Sequence, residues 1–267
     1  MVLDGAKINF CGILDRSVCI PKFSGGSKMI LTQSKYQHEL KRMIEYVEKK
    51  AYNSYVEKFV EYPSMDLFQL HFTYLFLSSK ALSPESKDIV CIPQLFIQLA
   101  LDSHEQVGEE NLEEHLIKNR QLTVLSGDYF SSFYYLYLAN RDQVEYISKW
   151  SNSIQAINEL KAEFHEQRYT FTKDERFTRL QTINGLLTTS VLDWFHACEE
   201  WYALHEALLK LLLHIQHDHK LLETAAMEKT IQRVQNLLGQ LTNDIMVKEE
   251  IGIWMEYIQK SMLVIEP

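Results

Sequence analysis

Chain breakers are scarce in this sequence. Nine glycines and five prolines in 267 residues are too few for a turn every ten or so positions, which argues against an all-β fold. Sulfur chemistry is equally poor. Cys11, Cys19, Cys91 and Cys198 form neither a CxxC pair nor a dense disulfide spacing, and they read as reduced thiols of a cytoplasmic protein rather than staples or metal ligands. No apolar run approaches the roughly 20 residues of a spanning helix; stretches such as Phe133 to Ala139 are the longest. Positive charge is also short, with 27 Lys and Arg against 36 Asp and Glu, a formal net charge of -9. That balance repels a phosphate backbone and argues against nucleic acid as a partner. No phosphate-cradling glycine loop and no nucleophile elbow is present, which removes nucleotide-binding and serine-hydrolase readings.

What the sequence has is apolar periodicity at threes and fours. From Thr32 to Tyr62 the positions Tyr36, Leu40, Met43, Ile44, Val47, Tyr52, Tyr55, Val56, Phe59 and Val60 predict one amphipathic helix, stopped by Pro63. Ser64 is the expected cap of a core helix running to Lys80. Ser83-Pro84-Glu85 is a helix start, with Pro93 expected to kink the helix and Gly108 to end it. Helices are then expected over Glu109 to Lys118, Arg120 to Asn140, Arg141 to Arg168, Lys173 to Ala197 behind a Thr172 cap, Glu199 to Glu223, Ala225 to Leu241 and Asn243 to Val264. The fold class is all-α, with roughly nine to eleven helices. Residues 1–28 lack the apolar core of a secretory signal and end in the spacer Ser24-Gly25-Gly26-Ser27. They read as an extension, for which a wrongly chosen upstream start codon is one account, and residues 29–267 read as a single helical domain.

The stretch from Gln94 to Asn140 carries the chemistry. An apolar helix arrives at Asp102, His104, Glu105 and Glu109, and a second helix opens through Asn119-Arg120-Gln121 into Ser126-Gly127-Asp128-Tyr129. This arrangement resembles the trans-prenyl diphosphate synthases, and more closely the small-subunit (component I) family of heterodimeric heptaprenyl or hexaprenyl diphosphate synthases. The resemblance implies an isoprenoid-synthase-like helical domain. In catalytic members two DDxxD motifs hold Mg²⁺, a hard cation suited to carboxylate and phosphate oxygens, against the departing diphosphate. Here the matching string is His104-Glu105-Gln106-Val107-Gly108-Glu109: Glu105 and Glu109 share a helix face, while Gln106 is neutral and Gly108 weakens the turn. No second acidic motif follows from Thr170 to Pro267, and Gly25-Gly26-Ser27-Lys28 lacks the arginine of the basic loop.

Asp102, His104, Glu105 and Glu109 are therefore expected to be a vestigial motif, with no catalytic residue, cofactor or metal in this chain. The resemblance implies a catalytic large subunit (component II) that brings Mg²⁺ and the substrates, and a heterodimer making a long-chain precursor of the menaquinone side chain. This chain would pack against it and help wall a tunnel for the isoprenoid chain. Arg120, Gln121, Gly127, Asp128, Tyr129, Phe130, Phe133 and Tyr134 are the interface or tunnel candidates. Two alternatives stay open: an independent all-α isoprenoid-binding enzyme with an atypical acidic motif, and a structural helical adaptor.

Plainer readings stand beside these. A solvated helix end explains four charged residues on its own, and Arg120 with Asp128 also suits a surface ion pair worth about 0 to 1 kcal/mol. The aromatic set Tyr129, Phe130, Phe133, Tyr134, Tyr135 and Tyr137 covers more than one helix face, which suggests two buried surfaces, though a helix buried all round would look alike. His214, His217 and His219 have no fixed acidic companion and do not read as a metal site. Gly127 in mid-helix costs about 1 kcal/mol against Ala, so a close helix approach is expected there.

Overall fold

The computed structural model describes residues 32–58, 60, 62, 63, 65–105, 114–167, 170–216, 224–241 and 245–263. Among them the protein is all-α, with nine α-helices and no strand. These are α1 (Gln37–Ala51), α2 (Leu67–Ser79), α3 (Pro84–Glu105), α4 (Glu114–Ala139), α5 (Val144–Gln167), α6 (Lys173–Trp194), α7 (Glu199–Gln216), α8 (Thr224–Gln240) and α9 (Ile245–Leu263).

Most boundaries follow local chemistry. Thr172 and Glu175 form a reciprocal capping box at the start of α6, which satisfies two otherwise orphaned backbone donors. Ser83 Oγ accepts from Ser86 N at 3.1 Å as α3 opens at Pro84, and α3 continues as helix through Pro93. Three boundaries differ from expectation. The helices expected over Glu109 to Lys118 and Arg120 to Asn140 are joined, since Lys118-Asn119-Arg120 holds no chain breaker and α4 runs unbroken from Glu114 to Ala139. The first helix stops at Ala51 instead of running to Tyr62, because Tyr52 is extended and Asn53 Oδ1 accepts from the backbone N–H groups of Tyr55 and Val56. That side-chain turn competes with the helix, and only a short 3₁₀ turn, Val56–Lys58, follows. The cap of α2 is Asp66, whose carboxylate accepts from Phe68 N and Gln69 N, and not Ser64, which lies outside the described residues.

α2 is the axis of the molecule. Ten of its residues, Phe68 through Leu77, are buried, and it packs against α1, α3, α6 and α9. A helix enclosed on all sides must satisfy its polar side chains internally. Gln69 Nε2 donates to the Asn184 carbonyl at 2.6 Å, and His71 sits between Trp254 and Glu250. The indole N–H can only donate, so His71 Nδ1 accepts it at 3.0 Å and Nε2 donates to Glu250 Oε2 at 2.7 Å. Glu250 also accepts from Ser34 Oγ and Lys35 N, each at 2.8 Å. Burial alone would raise its pKa, but these three donors win and hold it below the usual carboxylate range.

α3 and α4 form the most extensive helix pair, and α5 packs on α4 and α6. Trp150 of α5 meets Trp194 of α6 edge to face at 4.5 Å between ring centres, while Trp201 of α7 stacks edgewise on Phe72 and Phe76 of α2.

Candidate functional site

The C-terminal end of α3 presents a polar face at every fourth residue: Gln94, Gln98 and Asp102 are all buried. This spacing puts them in one file. Facing them are Gln69 and Thr73 of α2 and Asn184 and Thr188 of α6, also buried. Gln94 Nε2 reaches Thr188 Oγ1 at 3.4 Å, and Thr188 Oγ1 in turn donates to Gln69 Oε1 at 3.4 Å. The file ends in a small, water-sized cavity whose lining includes Gln69, Gln98, Asp102, Lys161 and Asn184 beside apolar side chains such as Leu101 and Ile183. One water fits such a space; a prenyl chain does not.

Asp102, 5% exposed, is costly to ionise. Burial pushes its pKa up to about 7, with Lys161 opposing and the nearby Asp66 and Glu105 carboxylates adding to the rise. Asp66 itself is pushed up to about 6 by burial, despite the backbone N–H of Gln69 and Phe68 that it accepts. The Gln98 carboxamide lies close enough to Asp102 to favour its charged form, yet neither its Oε1 nor its Nε2 makes a hydrogen bond of normal geometry among the described residues, and the same holds for Asn184 Oδ1.

Glu105 behaves differently. Its side chain is 11% exposed and both oxygens are taken by α5: Lys161 Nζ lies 3.0 Å from Oε1 and His165 Nε2 lies 3.6 Å from Oε2. Burial pulls its pKa upward, but His165 and Lys161 together outweigh it and the net shift is down. Lys161 is itself buried. His104, one residue earlier, points the other way and faces the exposed Asp128 carboxylate of α4 at 3.8 Å. Gly127 is the reason it fits. A Cβ built there would stand 2.5 Å from His104 Cε1 and 2.6 Å from Nε2, so the imbalance expected for a mid-helix glycine is answered by the imidazole lying across α4.

Asp102, His104 and Glu105 are thus neighbours in sequence that diverge in space: one faces the cavity, one α4 and one α5. Glu109 lies outside the described residues, as do Gln106 to Gly108 and residues 1–28. Among the described residues no three His, Cys, Asp or Glu side chains converge as metal ligands, and both oxygens of Glu105 face side chains of α5. His214 is buried in α7, and His217 and His219 lie outside the described residues.

The other candidates divide between two faces of α4. Phe130 and Tyr134 are in the chain's own core and Gly127 is buried. Tyr129 and Phe133 are half-buried, meeting edge to face at 4.8 Å, and Phe133 stacks on Phe96 at 5.2 Å. Arg120, Gln121 and Asp128 are exposed. With them on the outer face stand Val124, Leu125, Ser132, Tyr135 and Leu136, among which Leu125 is 59% and Leu136 54% exposed. The three- and four-residue steps align these along one outer face of α4, with apolar pairs at Val124–Leu125 and Tyr135–Leu136 and the polar Asp128 and Ser132 between them. Sequence reasoning missed Lys161, His165, Gln98 and Asn184. The polar spacing of Gln94, Gln98 and Asp102 was the available signal.

No helix among the described residues is long and apolar enough to cross a membrane. A family model described as heptaprenyl diphosphate synthase (HEPPP synthase) subunit 1 matches residues 53–262. Among curated proteins, heptaprenyl diphosphate synthase component 1 of Geobacillus stearothermophilus is 27% identical over 139 residues, covering 51% of this chain and 61% of that relative. The matched part thus spans less than two thirds of the relative's length.

Proposed function

Because the chain belongs to the heptaprenyl diphosphate synthase subunit 1 family, whose model spans residues 53–262, we propose that it is the accessory subunit of a cytoplasmic heterodimeric long-chain trans-polyprenyl diphosphate synthase. The catalytic partner brings the aspartate motifs, Mg²⁺ and the substrates, and the product serves the menaquinone side chain. The observation that carries this reading is the spent carboxylate. Ionising an allylic diphosphate demands several metal-binding oxygens around the leaving group, and Glu105 directs both of its own at Lys161 and His165.

The mechanism of an accessory subunit is packing. The outer face of α4 offers a partner helix two exposed apolar pairs, Val124 with Leu125 and Tyr135 with Leu136, with Asp128 and Ser132 between them and Gln121 one turn before, a mix of apolar and hydrogen-bonding groups suited to a protein contact. The cavity beside Asp102 is water-sized and has no room for a growing isoprenoid, whereas the outer face of α4 offers exposed apolar side chains for such a contact. Where such a wall ends sets how much hydrocarbon is buried, at about 25 cal/mol per Å², and hence where elongation stops.

The test is reconstitution. The purified chain alone is expected to condense no isopentenyl diphosphate with an allylic diphosphate, while its mixture with the large subunit makes long-chain product. Turnover by this chain alone, at the rate of the mixture, overturns the reading. A large subunit that makes product of normal length without it leaves only a structural adaptor.

A further inference from the structure

We propose that the ammonium of Lys161 is a tethered cation filling the acidic site from within, and that removing its charge turns this site into one for a divalent metal ion.

The geometry of α3, α5 and α6 carries this. Lys161 extends from α5 into the cavity that Asp102, Gln98 and Asn184 also line, and its Nζ ends 3.0 Å from Glu105 Oε1. A side chain this buried would ordinarily be apolar. Lysine is tolerated here because carboxylates of α3 compensate its charge, and Glu105 is tolerated because Lys161 does the same in return. His165, one turn further along α5, takes the second oxygen of Glu105 at 3.6 Å.

A second observation is independent of the carboxylates. Gln98 Oε1 and Asn184 Oδ1 are buried on residues that line the same cavity and accept no hydrogen bond among the described residues. Amide oxygens of this kind are hard donors. The residues lining one water-sized space therefore include Gln98, Asn184 and Asp102 with their side-chain oxygens, and Glu105 lies beyond the lining, 3.0 Å from the ammonium of Lys161. The set suits a hard cation, and Lys161 is the cation that this chain supplies. Lys161→Met keeps the length of the side chain and removes the charge, leaving Glu105 facing only His165 and the cavity with a net negative wall. The inference needs no partner subunit, so its failure leaves the accessory-subunit reading where it was.

The experiment titrates Mn²⁺ alone into the full chain and its variants, reading free Mn²⁺ by electron paramagnetic resonance. K161M is expected to bind roughly tenfold tighter than the unsubstituted chain or better, as the charge count of the ligand set rises. K161R, which retains the cation, stays at the unsubstituted level, and K161M/E105Q loses the gain. Equal affinity of the unsubstituted chain and K161M overturns the proposal, as does a gain that K161R shares or that E105Q does not remove. Should K161M be unfolded without metal, recovery of helical circular dichroism on adding Mn²⁺ supports the site, and no recovery overturns it.

Discussion

A carboxyl group buried beside Gln98 and Asn184 keeps its proton far longer than one in water, and Asp102 does so up to about pH 7. In the unfolded chain the same group ionises near pH 3.9. Between those values the folded state binds more protons than the unfolded one, so this residue makes stability fall as pH rises from about 4 to 7; Asp66 adds the same sign up to about 6. Asp102→Asn has no proton to lose. Urea unfolding at a series of pH values is expected to show the variant gaining on the parent as pH climbs, by on the order of 2–4 kcal/mol at pH 8. A difference that is flat with pH means Asp102 is ionised throughout. Gly127 allows a cleaner residue-scale test. Gly127→Ala gains about 1 kcal/mol of helix propensity but drives a methyl into the His104 ring. That ring is partly exposed and able to swing out, so in the parent chain the two effects are expected to cancel to within about 1 kcal/mol. In a His104→Ala background the clash is gone, and the same change is expected to stabilise by about 1 kcal/mol. Thermal unfolding of the four proteins reads the coupling, and the absence of any coupling refutes the close approach.

At the scale of elements, Glu250 decides how the first described residues join the last helix. Three donors from two distant parts of the chain converge on it, from Ser34, Lys35 and His71. Glu250→Gln replaces an acceptor by a group that presents an N–H₂ to at least one of those donors, and leaving buried donors unpaired costs about 3 kcal/mol. Because the folded pKa of Glu250 is lowered, its contribution is fully present above the unfolded value near 4.3 and fades as pH falls below it. Denaturant unfolding is expected to show the loss at pH 7 and much less of it at pH 3, and hydrogen exchange should report earlier opening at residues 34 to 47 than in α7. An unchanged midpoint at pH 7 makes the network dispensable. This network also marks the limit of what local pattern reveals. The starts of α3 and α6 were legible because Ser83-Pro84 and Thr172 with Glu175 act within one turn. The stop at Ala51 was not, since apolar spacing continues past it while the Asn53 side chain takes the backbone donors. Nothing in a window of twenty residues couples His71 to Glu250, 179 positions away.

For the molecule as a whole, the same distinction separates the acidic motif from its fate. The string around Glu105 showed that acidic groups were there and that their pattern was eroded. Which cation answers them is decided by α5, some 56 positions on, where Lys161 is one lysine among many in the sequence. The outer face of α4 was half legible: an aromatic-rich helix implied two surfaces, but only the packing of α3, α1 and α5 around it sorts Phe130 and Tyr134 to the inside and Leu125, Tyr135 and Leu136 to the outside. Exposed leucines aligned over three turns gain nothing for an isolated chain, and they are where a partner helix would remove most apolar surface from water. Leu125→Glu with Leu136→Glu places one charge in each apolar pair of that face while touching no core residue. The double variant is expected to keep the parent's circular dichroism and unfolding midpoint, because exposed substitutions mostly change stability by less than about 0.5 kcal/mol. Its affinity for the large subunit, measured by titration calorimetry, is expected to fall by at least 2 kcal/mol, roughly 30-fold, as for central interface residues. Product formation by the mixture should drop in parallel and recover as the variant is raised in excess. Unaltered affinity would move the contact off α4, and the start of α5, with exposed Val144 and half-buried Tyr146, would be the next face to charge.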